Sequence, residues 1–134
     1  MWYRGSITVP AGTTQAAYAS EVIEVCPGSI TKFYRLFPPG CAGLVSMQVW
    51  HQTRQIFPTT PGQYYIGDGS EILGEASVDL VEPEYVIELR GWSPDADYDH
   101  VVYCEFYIAR PVVYVPVVLG SSFVPVPAGL EGVS

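Results

Sequence analysis

The feature that most constrains the fold of this chain is an alternation of apolar and polar residues with period two. Proline and glycine interrupt this alternation at short intervals. Residues 84–92 place Ile87 and Leu89 on one side and Glu88 on the other, and residues 99–109 alternate in the same way. Successive side chains of a β-strand point to opposite faces, so such segments have one buried and one wetted face. The pattern therefore predicts short antiparallel strands.

Turn signals separate these segments, among them Pro27-Gly28, Pro38-Pro39-Gly40 and Pro61-Gly62. We predict strands at 3–9, 20–25, 29–37, 44–51, 54–57, 84–92 and 99–109. Residues 71–82 fit either a strand or a single helical turn. About eight strands predict an all-β fold, an antiparallel β-sandwich or jelly roll, with a β-barrel as the alternative.

The domain organisation follows from length and composition. A chain of 134 residues fits one domain. Hydrophobic residues make up 49% of it and charged residues only 15%, which excludes a disordered chain. We assign residues 1–110 to the β-sandwich domain and residues 111–134 to a last strand plus an extended C-terminal arm.

The C-terminal segment, residues 111–134, carries a single charged side chain, Glu131, and eight valines. Its prolines exclude one continuous helix, including a membrane-spanning helix. An exposed apolar segment promotes aggregation, so another surface must cover it. The segment can pack as a last strand on its own sandwich or add to the sheet edge of a neighbouring subunit. We expect a division between the two, with an own-chain strand at Val112–Leu119 and an arm at Gly120–Ser134. The expected contact residues are Val112, Val113, Tyr114, Val115, Val117, Val118, Phe123, Val124 and Val126.

The charge balance narrows the class of partner. The net charge is −8, and the six Lys and Arg residues are scattered without a basic patch. An acidic surface repels phosphate backbones and anionic lipids, which disfavours nucleic acid and membrane partners. No apolar signal segment follows Met1, so we expect synthesis in the cytoplasm.

Residues that could bind a metal or cofactor form no strong motif. The three cysteines show no C-x-x-C spacing, and we interpret them as reduced, mostly buried thiols, while a bond between Cys26 and Cys41 stays open. Asp95, Asp97 and Asp99 alternate as Ca²⁺ ligands do in a loop, but the glycine and distal glutamate of an EF-hand are missing. We predict a solvated loop, no metal and no cofactor, with calcium at these aspartates as the alternative.

The two histidines, His51 and His100, are the candidates for catalysis. Zinc needs further ligands at a recognisable spacing, and none is present. No G-x-S-x-G elbow accompanies them either. We predict no enzymatic activity, and keep a small hydrolase, with a histidine beside a serine or cysteine and an acid, as a lesser alternative.

Aromatic residues on predicted wetted faces or in loops suggest a binding surface. Trp50, Tyr64, Tyr65 and Trp92 can form a platform that stacks sugar rings. Alternatively, Trp50 and Trp92 fill contacts between subunits, where tryptophan and tyrosine are enriched. We favour the interface because the same chain carries an apolar arm.

Four segments carry a resemblance to a known group of proteins. They are YRGSITVPAGT at 3–13, FPPGCAGLV at 37–45, WHQTRQIFPTTPG at 50–62 and GWSPDADYDH at 91–100. Together they resemble small β-sandwich structural proteins of tailed phages and related viruses. The resemblance covers about residues 3–109, assigns no functional residue and leaves out the C-terminal segment.

The resemblance implies a virion component made in the host cytoplasm, either a capsid-decorating or auxiliary protein or a small module of a tail or fibre. We therefore predict a non-enzymatic structural protein. Its partners are a protein lattice of capsid or tail subunits and its own copies. The alternative is a carbohydrate-binding or receptor-binding module of a tail or fibre, with a glycan as its ligand.

Overall fold

A computed structural model describes residues 1–80, 83–110, 114–119 and 122–127, the last two stretches as backbone only. These residues form strands, turns and loops, without a helix. The strands are β1 Trp2–Val9, β2 Ala19–Glu24, β3 Gly28–Phe37, β4 Ser46–His51, β5 Arg54–Phe57, β6 Ser70–Leu80, β7 Val86–Trp92, β8 His100–Ala109, β9 Tyr114–Leu119 and β10 Ser122–Pro127.

Eight strands form two four-stranded antiparallel sheets that pack together. The first sheet has the order β1-β8-β3-β6 and the second has the order β2-β7-β4-β5. The prediction of an all-β sandwich is confirmed. The β-barrel alternative is wrong, because the strands divide between two sheets and do not close into one.

The core lies between the facing sides of the two sheets. On β8, Val102, Cys104, Phe106 and Ile108 are fully buried, as the alternation predicts. Phe33 of β3 lies at the centre, with its ring centroid 5.0 Å from that of Phe106 in the same sheet. The ring of Phe57, from the second sheet, stacks on Phe33 at 4.6 Å. Each such ring contributes about 1.5–3 kcal/mol by its burial, so this stack helps hold the sheets together.

The ambiguous segment 71–82 is a strand over its described part. β6 spans Ser70–Leu80 and pairs with β3 along its whole length, with a register shift between Ile30 and Lys32. Glycine, alanine and serine in this segment have little intrinsic preference for strands. The hydrogen bonds offered by β3 decide the conformation, and the sequence alone does not contain them.

One face of β4 is less wetted than its alternation predicts. Met47 and Val49 are buried as expected, but Ser46 and Gln48 on the opposite face are buried too. The reason is the loop after β5, which returns beside β4: Met47 and Tyr65 exchange two backbone hydrogen bonds of 3.0 and 2.9 Å. A loop that packs over the outer face of a strand excludes solvent from that face. The period-two pattern then no longer predicts that the face is exposed.

The C-terminal strands β9 and β10 pair with each other as an antiparallel hairpin. β9 lies inside the predicted strand Val112–Leu119, and β10 lies inside the segment predicted as an arm. Pro116 stands opposite Pro125. Because proline has no N–H, this pair suits a non-hydrogen-bonded position of the ladder, where the backbone N–H would point away from the partner strand. Val112 and Val113 lie outside the described residues.

Candidate functional site

The outer face of the second sheet carries both predicted tryptophans of the binding surface. The register of β4 and β7 sets Trp50 opposite Glu88 and Ser46 opposite Trp92. On β7, Ile87 and Leu89 flank Glu88, point into the core and are fully buried. Trp50 on β4 and Trp92 on β7 therefore lie on the same surface, since each tryptophan alternates along its strand with residues that point into the core.

Arg90 is the centre of this surface. Its Cζ lies 3.9 Å from the ring centroid of Trp50 and 4.5 Å from that of Tyr18. Its Nε donates to Oε1 of Glu88 at 2.5 Å, and both side chains of this ion pair are mostly covered. A guanidinium between two rings and a carboxylate is held in one orientation, and it covers part of the Trp50 ring.

Two glutamines connect this surface to the loop after β5. The indole N–H of Trp50 donates to Oε1 of Gln48 at 3.0 Å, and Nε2 of Gln48 donates to the carbonyl of Gln63 at 2.9 Å. Gln55 donates to the carbonyls of Pro58 and Gln63 at 2.9 Å each. These amide groups are engaged in holding the loop, so they are not free hydrogen-bonding groups awaiting a ligand.

Trp92 and Tyr64 extend the outer surface beyond Arg90. Trp92 is buried, whereas Tyr64 is 48% exposed. Their ring centroids are 5.5 Å apart with an interplanar angle of 70°. An open groove of about 540 Å³ lies along Tyr18, Trp50, Arg90 and Trp92. The rings of Tyr64 and Trp92 therefore do not form a flat platform.

Tyr65, the fourth aromatic residue of the predicted platform, lies on the other side of the second sheet. Its ring packs against Phe33 of the core at 5.8 Å, and Cζ of Arg35 lies 3.9 Å from its centroid. Burial raises the pKa of the Tyr65 phenol, and the Arg35 cation opposes that shift. The structure therefore brings Trp50, Tyr64 and Trp92 together and separates Tyr65 from them.

The three aspartates considered for calcium are not gathered into a ligand set. Asp99 accepts a hydrogen bond from the N–H of Ala11 at 2.9 Å, which ties two loops together. Asp95 and Asp97 lie exposed in their loop. Within the described part of the chain, no three His, Cys, Asp or Glu side chains form a group that could hold a metal ion.

The two histidines lie at opposite ends of the sandwich. His51 is 2% exposed at the end of β4, and its Nδ1 lies 2.9 Å from the carbonyl oxygen of Val86. His100 begins β8 opposite Val9, near the other end of β7. Among the described residues, neither ring forms a hydrogen bond with a serine, a cysteine or a carboxylate. The grouping that the hydrolase alternative requires is not formed around either ring.

The three cysteines are free thiols, so Cys26 and Cys41 form no disulfide. Cys41 and Cys104 are buried, and Cys26 is half-buried. Sγ of Cys104 lies 3.4 Å from Sδ of Met47, across the core. Burial raises the pKa of the Cys104 thiol to about 12 and also raises the pKa of Cys41. Thiols held in this protonated state are poor nucleophiles.

Residues of the predicted C-terminal interface are placed by their backbone. Tyr114, Val115, Val117 and Val118 belong to β9. Phe123, Val124 and Val126 belong to β10. Exposed apolar side chains also occur on the sandwich itself, at Trp2, Leu44, Ile66, Leu73 and Tyr103. Apolar surface suited to contacts is therefore not restricted to the C-terminal segment.

Sequence patterns do not reveal Arg90 and Tyr18 as parts of the outer surface. In the sequence Arg90 is one of the scattered cations, and Tyr18 precedes β2 in a loop. The signal for Arg90 was its place two residues from Glu88 on an alternating strand. The stack on Trp50 depends on the register between β4 and β7, which no local pattern contains.

No protein-family model matches this chain, and no curated protein matches its sequence. Among the residues that the structure describes, no helix is long and apolar enough to cross a membrane. The evidence on function is therefore the geometry of the chain itself.

Proposed function

We propose that this chain is a non-enzymatic structural protein of a virion, a capsid-decorating or auxiliary protein. It is made in the host cytoplasm and assembles with its own copies and with a repeating lattice of capsid or tail subunits. The observation that carries the proposal is an apolar hairpin, β9–β10, that pairs with none of the eight strands of the sandwich.

Among the residues whose side chains the structure describes, the buried hydrophobic ones run from Ile7 to Ile108, in the strands of the sandwich and in loops at Cys41, Val45 and Ala96. The hairpin pairs with none of these strands, because β9 and β10 form a sheet of their own. A lone two-stranded hairpin is at best marginally stable in water. From residue 111 to residue 130 the chain has no charged side chain. Burial against another surface is the way to stabilise such a segment.

The prolines of the hairpin indicate how this contact forms. Pro125 and Pro127 occupy positions of β10 at which the backbone nitrogen faces away from β9. Pro116 occupies the equivalent position on β9. These residues supply no N–H to a further strand, so the outer edge of β10 is a poor template for sheet extension. We therefore propose that the hairpin makes contacts by packing its apolar surface and not by adding strands at its own edges.

The order of the strands in the sandwich supports the same class of protein. The pairs of neighbouring strands include β1 with β8, β2 with β7, β3 with β6 and β4 with β5. This order is the one obtained when a long antiparallel hairpin is wound into two sheets, as in a jelly roll. Jelly rolls are frequent in viral capsid proteins and also in lectins, so the fold alone does not separate the two candidate functions.

The carbohydrate-binding alternative has less support from the geometry. Arg90 lies over the Trp50 ring, Trp92 is buried, and Tyr64 meets Trp92 edge-on. A sugar-stacking site needs exposed ring faces, and this surface offers mainly edges and a covered face. The Trp50–Arg90 groove fits a protein contact better, since tryptophan, tyrosine and arginine are enriched there.

Light scattering after gel filtration tests the proposal on the full chain and on a variant that ends at Arg110. We expect a defined oligomer for the full chain and a monomer for the shortened variant. A matched variant with Val115→Ser and Val124→Ser retains the length of the segment and should also weaken the oligomer. A full-length chain that stays monomeric at high concentration contradicts the proposal.

A further inference from the structure

A second groove opens at the side of the sandwich, between β6 and the loop that follows β5. We call it the edge groove. It has a volume of about 400 Å³. Its lining includes the rings of Phe33, Phe57 and Tyr65, and small residues of β6, Gly74 and Ala76, form one wall. Phe33 and Phe57 are themselves buried, and the half-buried Tyr65, Ala76 and Val78 form the apolar part of the groove surface. The groove therefore suits an apolar side chain.

Arg35 supplies a positive charge in the edge groove. It lies two residues from Phe33 on the inward side of β3, opposite the buried Cys104. Its Cζ lies 3.9 Å from the Tyr65 centroid and 5.9 Å from the Phe33 centroid. In the described part of the chain it forms no ion pair, since Arg4 and Arg90 are the two arginines that do. A half-buried cation of this kind favours an anionic partner.

The backbone beside the groove is also available. β6 is the last strand of the first sheet, and its outer edge pairs with no strand that the structure describes. β6 spans eleven residues from Ser70 to Leu80. A long free edge of this kind can accept an extended segment through main-chain hydrogen bonds, while an adjacent apolar groove selects its side chains.

The groove has a complementary segment in the same sequence. Residues 128–134, which follow β10, contain Leu130, Val133 and the one charge of the C-terminal segment, Glu131. We propose that residues 128–134 of a neighbouring copy dock along β6, with an apolar side chain in the edge groove and Glu131 paired with Arg35. This inference rests on the proposed assembly function and names the contact by which copies join.

Docking of residues 128–134 in the same copy places a condition on the path of the chain. The sandwich ends where Ala109 pairs with Ser29, six residues before Arg35 on β3, or about 20 Å along the strand. Pro127 pairs with Tyr114, so residue 128 follows the base of the hairpin. Four residues from there to Glu131 reach at most about 14 Å. Docking in the same copy would require the hairpin base itself to lie along the sandwich.

Charge reversal in the full chain tests this contact. We expect Arg35→Glu and Glu131→Arg each to raise the concentration for half-assembly at least about tenfold, measured by light scattering. An equimolar mixture of the two single variants should restore assembly, since the reversed groove of one variant meets the reversed tail of the other. Lys32→Glu, on the same strand but on its outer face, is the matched control and should cause no such loss.

The outcomes separate the inference from the function on which it rests. Assembly that survives both single reversals overturns the contact but leaves the proposed function standing. Restoration in the Arg35→Glu, Glu131→Arg double variant without restoration in the mixture shows docking within one copy, which also overturns it. A wild-type chain that never assembles overturns the proposed function. Glu131→Arg lies outside the sandwich, so the test holds even if Arg35→Glu does not fold.

Discussion

At the scale of single residues, two side chains depart from the roles that their types suggest. Arg90 carries a charge yet lies between the rings of Trp50 and Tyr18, and His51 is polar yet buried. Glu88 compensates the charge of Arg90. Nδ1 of His51 contacts the Val86 carbonyl, whereas its Nε2 has no hydrogen-bond partner among the described residues. The chemistry of these residues depends on contacts between distant parts of the chain.

Cys104 makes stability depend on pH in the alkaline range. Its pKa is about 12 in the folded chain, against an ordinary value of 9.0. Above pH 9 the unfolded chain loses this proton and the folded chain retains it, so deprotonation favours unfolding. We expect this thiol to lower the free energy of unfolding by up to about 1.4 kcal/mol per pH unit between pH 9 and pH 12.

Urea unfolding from pH 8 to pH 11 measures this dependence. Cys104→Ala should be less stable at pH 8, because it opens a cavity beside Met47, but its free energy of unfolding should fall less steeply with pH. Val102→Ala, which truncates another buried side chain of β8 and removes no titrating group, is the control and should retain the slope of the wild type. Equal slopes for the wild type and Cys104→Ala would show that Cys104 is not the titrating group.

At the scale of elements, close approaches of the backbone decide where strands begin and meet. Gly28 starts β3 with a φ of 151°, and a Cβ placed there would lie 2.2 Å from the carbonyl oxygen of Ala109. The turn signal Pro27-Gly28 predicted a chain reversal at this point. It did not predict that the end of β8 would touch the glycine, because that contact joins residues far apart in sequence.

Gly28→Ala should therefore lower the free energy of unfolding by about 2–4 kcal/mol, because a backbone carbonyl cannot move aside as a side chain can. Gly74→Ala in β6 is the matched control. A Cβ at Gly74 meets its nearest neighbour at 3.9 Å, so the change should cost less than about 1 kcal/mol. Thermal unfolding followed by circular dichroism measures both variants. Similar midpoints for the two variants would contradict the assigned contact.

At the scale of the whole molecule, the sandwich and the C-terminal hairpin have different requirements. The sandwich contains the described core, and the hairpin pairs only with itself among the described strands. A unit with its own core can fold alone, whereas an apolar hairpin needs a partner surface. We therefore expect residues 1–110 to fold alone and, under the proposed function, the segment that follows to make the assembly contacts.

A variant that ends at Arg110 should retain the stability of the sandwich. Measured as dilute monomers, its free energy of unfolding should lie within about 1 kcal/mol of the value for the full chain, because no described core residue is removed. Urea titration followed by tryptophan fluorescence is suitable, since Trp92 is buried. A loss of several kcal/mol would show that the hairpin packs on its own sandwich.

The sequence by itself determined the class of fold, the positions of most strands and the inward side of β7 and β8. The alternation in β8 and β7 was sufficient to identify Cys104, Phe106, Ile87 and Leu89 as core residues, because burial of one strand face is a local property. Tertiary structure decided the strand order, the conformation of residues 70–80, the burial of Gln48 and the separation of Tyr65 from Trp50. These features depend on register and on loops that return beside a strand. Their energies come from contacts between residues far apart in the chain, which no local pattern records.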